Sequence, residues 1–190
     1  MDLVRKLRIL VVIVVLPVSY FAFRCIPRDS GIESEPAYVG KKLCAVAGEN
    51  IVLLDTMRNV FDISNFTAAV HVLVFYSGNC DQCQSKQKAL RKLTQKYMKE
   101  PVRVVYIRTG KESFGDFVGH PIKKQTRLFD EEGRLTDALD ITTFPTEVII
   151  DDRGFIKHVS TGYSAASEKE YMQLTGIKID SLLVSARSGQ

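Results

Sequence analysis

A β-branched and aromatic run, Val72-Leu73-Val74-Phe75-Tyr76, is followed within a few residues by Cys80-Asp81-Gln82-Cys83. A stretch with helical periodicity begins directly after the second cysteine. A buried strand leading into a cysteine pair at a helix start restricts the fold more than any other feature of the chain. The free N–H groups and positive dipole end of a helix N-terminus stabilise a thiolate. The thiolate is the nucleophile of disulfide exchange. Two intervening residues place the second sulfur about one turn away, close enough to close a disulfide. Cys80, nearer the terminus, is the expected nucleophile, and Cys83 the thiol that resolves the mixed disulfide.

The rest of the chain supplies a sheet around this unit. Ile51-Val52-Leu53-Leu54 and Val60-Phe61-Asp62-Ile63 flank the turn-like Met57-Arg58-Asn59, which predicts a β-hairpin. From Gln84 to Glu100, Leu90, Leu93 and Tyr97 share one helical face. Val102 to Ile107 reads as a second buried strand. Glu147 to Ile150 and Phe155 to Val159 flank Asp151-Asp152-Arg153-Gly154, a second hairpin. Ser167 is expected to cap a C-terminal helix containing Tyr171 and Leu174. Such a sequence of elements argues for an α/β sheet with helices on its faces. Thr143-Phe144-Pro145-Thr146 enters the strand that begins at Glu147. Beside a reactive cysteine pair, a cis bond is expected between Phe144 and Pro145, leaving the Phe144 backbone to pair with a substrate strand.

At the N-terminus, Arg5, Lys6 and Arg8 precede an apolar run from Ile9 to Phe23, closed by Arg24. The run is short for a membrane span, but Leu3, Val4 and Ile26 extend it. The residues before Arg24 are too bulky for a signal-peptidase site, so an anchor is preferred to a cleaved signal. The basic cluster favours a cytoplasmic N-terminus and an extracytoplasmic domain. The expected organisation is an anchor or signal over 1–26, a linker over 27–38, a folded domain over 39–184 and a frayed tail over 185–190. Hydrophobic residues at 45% and charged residues at 25% suit one globular core. The net charge of +4 is spread along the chain, with no basic-aromatic stripe, so nucleic acid is not an expected partner.

From Val72 to Cys83 and its helix, through Val102 to Ile107, to Phe144-Pro145-Thr146 and Val148 to Gly154, the chain resembles thioredoxin. The leader from Leu54-Asp55 to Phe66, Leu128-Phe129-Asp130, Gly133 and Ala138-Leu139-Asp140-Ile141 resemble the TlpA/ResA-type branch. The resemblance covers roughly Val39 to Gly162. It implies a thioredoxin-like fold, a central mixed sheet flanked by helices with an N-terminal hairpin leader, tethered by an N-terminal membrane helix. It implies a thiol–disulfide oxidoreductase, acting as a reductase, in the periplasm or at the cell exterior. Catalysis would fall to Cys80 and Cys83, and substrate binding to Phe144 and Pro145. Partners would be protein disulfide or dithiol substrates, an upstream thiol electron donor and the membrane; no metal or other cofactor is implied.

The departures concern proton transfer. Asn79 stands where the family usually has Trp. Lys86 stands where a carboxylate is common on the helix, and Lys88 at a usual Pro. Val74 aligns with the buried acid of thioredoxin, so no obvious proton-accepting carboxylate remains in these places. Lys86 is expected on the surface; pointing inward instead, its charge would favour a thiolate on Cys83 or Cys80. Other readings are a binding or folding-assistance module with a redox-inert disulfide, copper delivery with His120 as the least implausible ligand, and a peroxidase. Structural zinc lacks a second cysteine pair, since Cys25 and Cys44 are isolated. Cys44, beside Leu43 and Ala45-Val46, is expected to be a buried small hydrophobe.

Overall fold

The computed structural model describes residues 35–48, 51–63, 66–78, 80–110 and 123–189, all within one unit, Glu35–Gln190. The expected membrane helix and most of the linker lie outside the described residues, as do Asn79, His120 and Cys25. Among the described residues, no helix is long and apolar enough to cross a membrane.

The elements run β1 (Leu53–Leu54), β2 (Val60–Phe61), β3 (Val70–Tyr76), β4 (Val102–Thr109), β5 (Gln125–Asp130), β6 (Thr146–Asp151) and β7 (Ile156–Thr161). Helix α1 (Leu43–Ala47) precedes them, and α2 (Asp81–Lys96), α3 (Arg134–Ala138) and α4 (Glu168–Ser188) lie between and after them. The sheet order is β2-β1-β5-β4-β3-β6-β7. β3, β4 and β5 are mutually parallel, joined by α2 and by the segment before β5. β6 and β7 are antiparallel additions on one side, and β1 and β2 on the other. This is a mixed, thioredoxin-like sheet with the expected hairpin leader at one edge.

Strand alternation divides the core into two layers. Leu73 and Phe75 face α1 and α3, with Val105, Ile107, Leu128, Val148 and Ile150. Val72, Val74 and Tyr76 face the other way, with Val104, Tyr106 and Ile149, under Leu90, Leu93 and Tyr97 of α2 and Ile179 and Leu183 of α4. The predicted apolar face of α2 is therefore the buried one. The Tyr97 hydroxyl donates to Asp180 Oδ1 at 2.8 Å and ties α4 to α2. The same hydroxyl lies 3.2 Å from Gly176 O, a second contact with α4.

The helix start agrees: α2 begins at Asp81 with Cys80 as its cap, so the cysteine pair opens the helix as expected. Several other expectations need correction. Ser167 occupies the boundary of α4, but its hydroxyl donates to Ser164 O and not into the helix. α4 continues to Ser188 through most of the segment expected to fray, and Arg187 pairs with Glu100 at 2.6 Å. Cys44 is exposed, not buried. Leu43 takes the inward position of α1, and a turn of about 100° per residue carries Cys44 out to solvent.

One buried group on β3 bears on stability. His71 is almost wholly buried, and its Nε2 accepts the Ala68 N–H at 3.3 Å. Burial, aided by Arg103, pushes its pKa down to about 4. The unfolded chain, with an ordinary His pKa, binds more protons than the fold between about pH 6.5 and 4. Stability is therefore expected to fall as pH drops through that window and to level off below it. The loss is of order 3 kcal/mol for this group. Chemical denaturation across pH 4–7 checks this; His71→Gln should flatten that part of the profile.

Candidate active site

β3 ends at Tyr76, and the chain turns through Ser77 and Gly78 to Cys80, the N-cap of α2. Cys80 has extended φ and ψ, and its sulfur accepts the Cys83 N–H at 3.1 Å. A helix-end donor, shared with Cys80 O at 3.0 Å, is thus already aimed at this sulfur, where a thiolate would gain from it. Asp81 follows in the first turn. Cys80 and Cys83 are joined by a disulfide. Cys80 is half-buried and Cys83 is buried, at 4% exposure. Only the first sulfur is thus presented to a partner.

The opposite wall comes from the entry to β6. The Phe144–Pro145 bond is cis, as expected, and Cys80 Sγ lies 3.8 Å from Phe144 O. Phe144 packs against the core layer that contains Cys83. The ladders of β6 with β3 and β7 start at Thr146, so the Phe144 backbone lies outside them. The Pro145 carbonyl is already used, accepting the Gly162 N–H at 2.8 Å. The fold thus brings together all four residues expected at the site: Cys80, Cys83, Phe144 and Pro145.

Behind the disulfide lies a cluster that the sequence reading missed. Lys86 is 1% exposed, contrary to the expected surface position, and its Nζ lies 3.3 Å from Glu147 Oε2. Glu147 is fully buried. Its Oε2 also accepts the Tyr171 hydroxyl at 2.5 Å, and its Oε1 lies 3.4 Å from Thr175 Oγ1. Lys86 Nζ stands 4.9 Å from the Tyr171 ring centroid. Burial, with the adjacent Glu147 carboxylate, pushes the Tyr171 pKa well up, so its hydroxyl stays protonated and donates. Glu147 pairs in register with Val74, the residue that aligns with thioredoxin's buried acid. A buried carboxylate is therefore present, one strand over.

Both charged residues were in phase with the core. Cys83, Lys86, Leu90, Leu93 and Tyr97 recur at three- and four-residue steps on α2. Glu147 shares strand parity with Ile149, which faces α2 and α4. Two opposite charges at inward positions of facing elements are a sequence-level signal for a buried pair. Among the described residues, no group of three or more His, Cys, Asp or Glu side chains could hold a metal ion.

A family model described as Redoxin matches residues 39–174. The chain belongs to the Redoxin family. Within it, the chain carries a thioredoxin fold of thiol–disulfide oxidoreductase type with a Cys80–Cys83 pair. Solved structures agree on the fold. One is a candidate thiol:disulfide interchange protein DsbE from Chlorobium tepidum, 21% identical with a TM-score of 0.61, covering 76% of this chain and 97% of that one. MTB DsbF is 18% identical with a TM-score of 0.57, covering 72% and 97%. A secreted Mycobacterium tuberculosis disulfide oxidoreductase homologous to E. coli DsbE is 21% identical with a TM-score of 0.53, covering 64% and 91%. No curated protein matches the sequence.

Proposed function

We propose that this redoxin exchanges disulfides with protein substrates outside the cytoplasm, through Cys80 and Cys83, with substrate reduction the favoured direction. The observation that carries the reading is the asymmetry of the pair. Cys80 is partly exposed at the helix N-cap, where its sulfur accepts the Cys83 N–H, and Cys83 is buried one turn behind it. In the reduced protein the Cys80 thiolate attacks a substrate disulfide. Cys83 then displaces the substrate and re-forms the Cys80–Cys83 bond. Phe144 and Pro145 form the dock: an extended substrate segment pairs with the Phe144 backbone and lies on its ring. An upstream thiol donor returns the pair to the reduced state.

The location rests on sequence. Arg5, Lys6 and Arg8 before the apolar run Ile9 to Phe23 favour a tethered chain with its domain on the far side of the membrane. The secreted M. tuberculosis relative is consistent with this side of the membrane.

The test is a trapping experiment. In Cys83→Ser the second step is lost, so mixed disulfides through Cys80 should accumulate with protein substrates. Recovery of the variant with no covalently attached protein, or with attachment through Cys44, would reject the assignment.

A further inference from the structure

The positive charge of the chain is dispersed in sequence, and the fold gathers much of it at one end of the sheet. Val70 starts β3 and pairs with Val102 at the start of β4 and with Asp151 at the end of β6. β5 starts beside Val104. The starts of the three parallel strands and the β6–β7 turn therefore share one end. Cys80 follows the other end of β3, about 20 Å along the strand. The last turn of α2 and the C-terminus of α4 return to the first end, where Arg187 pairs with Glu100 at 2.6 Å. Lys42, Lys99, Arg103, Lys123, Arg153 and Arg187 are all exposed there. Most acids of this end are already committed. Glu100 pairs with Arg187, Asp151 with Arg153 and Lys157, and Asp180 with Lys96. Asp152 in the turn and Asp62 after β2 are exposed and offset only part of the surplus. Lys42 Nζ, the Arg153 guanidinium and Lys157 Nζ each lie 5.4 Å from the Phe155 ring centroid, which holds three of the cations around one aromatic. The disulfide end does not repeat this surplus. There Glu131 and Glu132 offset Arg58 and Arg134, and Asp81 lies in the first turn of α2.

The chain also enters the domain beside this end. The Gly40 N–H donates to Ile156 O at 2.8 Å, and the Leu43 N–H to Gly154 O at 2.8 Å. Lys42 bridges to Phe155, so residues 40–43 run along the β6–β7 turn. The stretch from Arg24, which closes the apolar run, to Glu35 reaches at most about 40 Å when fully extended.

We propose that this basic end docks on the anionic lipid headgroups of the membrane that tethers the chain, which turns the Cys80–Cys83 site away from the bilayer. The inference rests on the tether proposed above and adds which face of the domain meets the lipid. Clustered Lys and Arg side chains are drawn to an anionic surface over about a Debye length, roughly 8 Å at physiological salt. A surplus of this size binds a free domain only weakly. A short tether holds the domain at high effective concentration beside the surface, so a weak attraction is enough to orient it. Substrates then reach the disulfide from the open compartment and not along the bilayer.

The test is lysine footprinting of the full chain in vesicles, with a membrane-impermeant acetylating reagent read by mass spectrometry. Vesicles of phosphatidylcholine alone are compared with vesicles carrying about 30% phosphatidylglycerol. Labelling of Lys42, Lys99 and Lys123 should fall at least about threefold in the anionic vesicles, and about 0.5 M NaCl should abolish the difference. Lys88 on α2 and Lys169 at the start of α4, both exposed, lie toward the disulfide end and should label equally in the two. Reversing two exposed charges, Lys99→Glu with Lys123→Glu, should remove the protection of Lys42 while the chain still floats with the vesicles. Equal labelling of all five lysines in both vesicles would overturn the proposal, as would protection of Lys88 and Lys169 instead. Protection that appears only on adding soluble polyglutamate would also overturn it and make this end a dock for an acidic protein. A chain that floats with neither vesicle would instead overturn the tether beneath the proposal.

Discussion

Lys86→Met alone is expected to be the most destabilising substitution near the site, costing about 3–5 kcal/mol. The variant leaves the Glu147 carboxylate fully buried, with the Tyr171 and Thr175 hydroxyls nearby but its cationic partner gone. Hydroxyl dipoles offset only part of the cost of an uncompensated buried charge. Adding Glu147→Gln should restore most of the loss, because the amide oxygen can still accept from Tyr171 while no charge remains. Urea denaturation of wild type, the two singles and the double closes this cycle. Additive single losses, with no recovery in the double, would mean that the two side chains do not act as a pair.

Cys80→Ser should have the largest effect on chemistry. A hydroxyl near neutral pH is a far weaker nucleophile than a thiolate capped by a helix N–H, so protein–disulfide exchange should fall at least about a thousandfold. Cys83→Ser differs in kind: it keeps the first attack and loses the release. Single-turnover exchange with a peptide disulfide separates the two. Equal loss of the first step in both variants would contradict the division of labour between exposed and buried sulfur. Fold integrity should survive in Cys80→Ser, since that sulfur sits at the edge of the core, not within it.

Much of this site was legible in the sequence because its parts obey short-range rules. The apolar run of β3, the helical spacing of Leu90, Leu93 and Tyr97, and the second run in β4 each imply a buried face. A cysteine pair between strand and helix then falls at a helix N-terminus. Phe144-Pro145 met the pair through the register of β6 on β3, which the motif order implied but did not specify. β5 was read only through the family resemblance of Leu128-Phe129-Asp130, because Gln125 to Arg127 are polar and half-buried at the strand's start.

The charged cluster was missed for a different reason. Lysine is rarely buried, so Lys86 was assigned by residue type rather than by phase. Its burial depends on a carboxylate sixty-one positions away on another element, and no local pattern carries that pairing. Cys44 shows the complementary error. Apolar neighbours in sequence do not imply a shared face on a helix, and Leu43 alone takes the buried position. Glu147 was read as a strand start; its parity with Ile149 already placed it inward.

The reduction potential of the Cys80–Cys83 pair, measured at pH 7 by equilibrium with a thiol–disulfide buffer, tests the central claim most directly. A cycling oxidoreductase should equilibrate reversibly while folded, with a potential between about −270 and −120 mV, the span of thioredoxin to strongly oxidising relatives. A disulfide that resists reductant until the chain unfolds, with a potential below about −300 mV, would contradict it and identify a structural bond in a binding module.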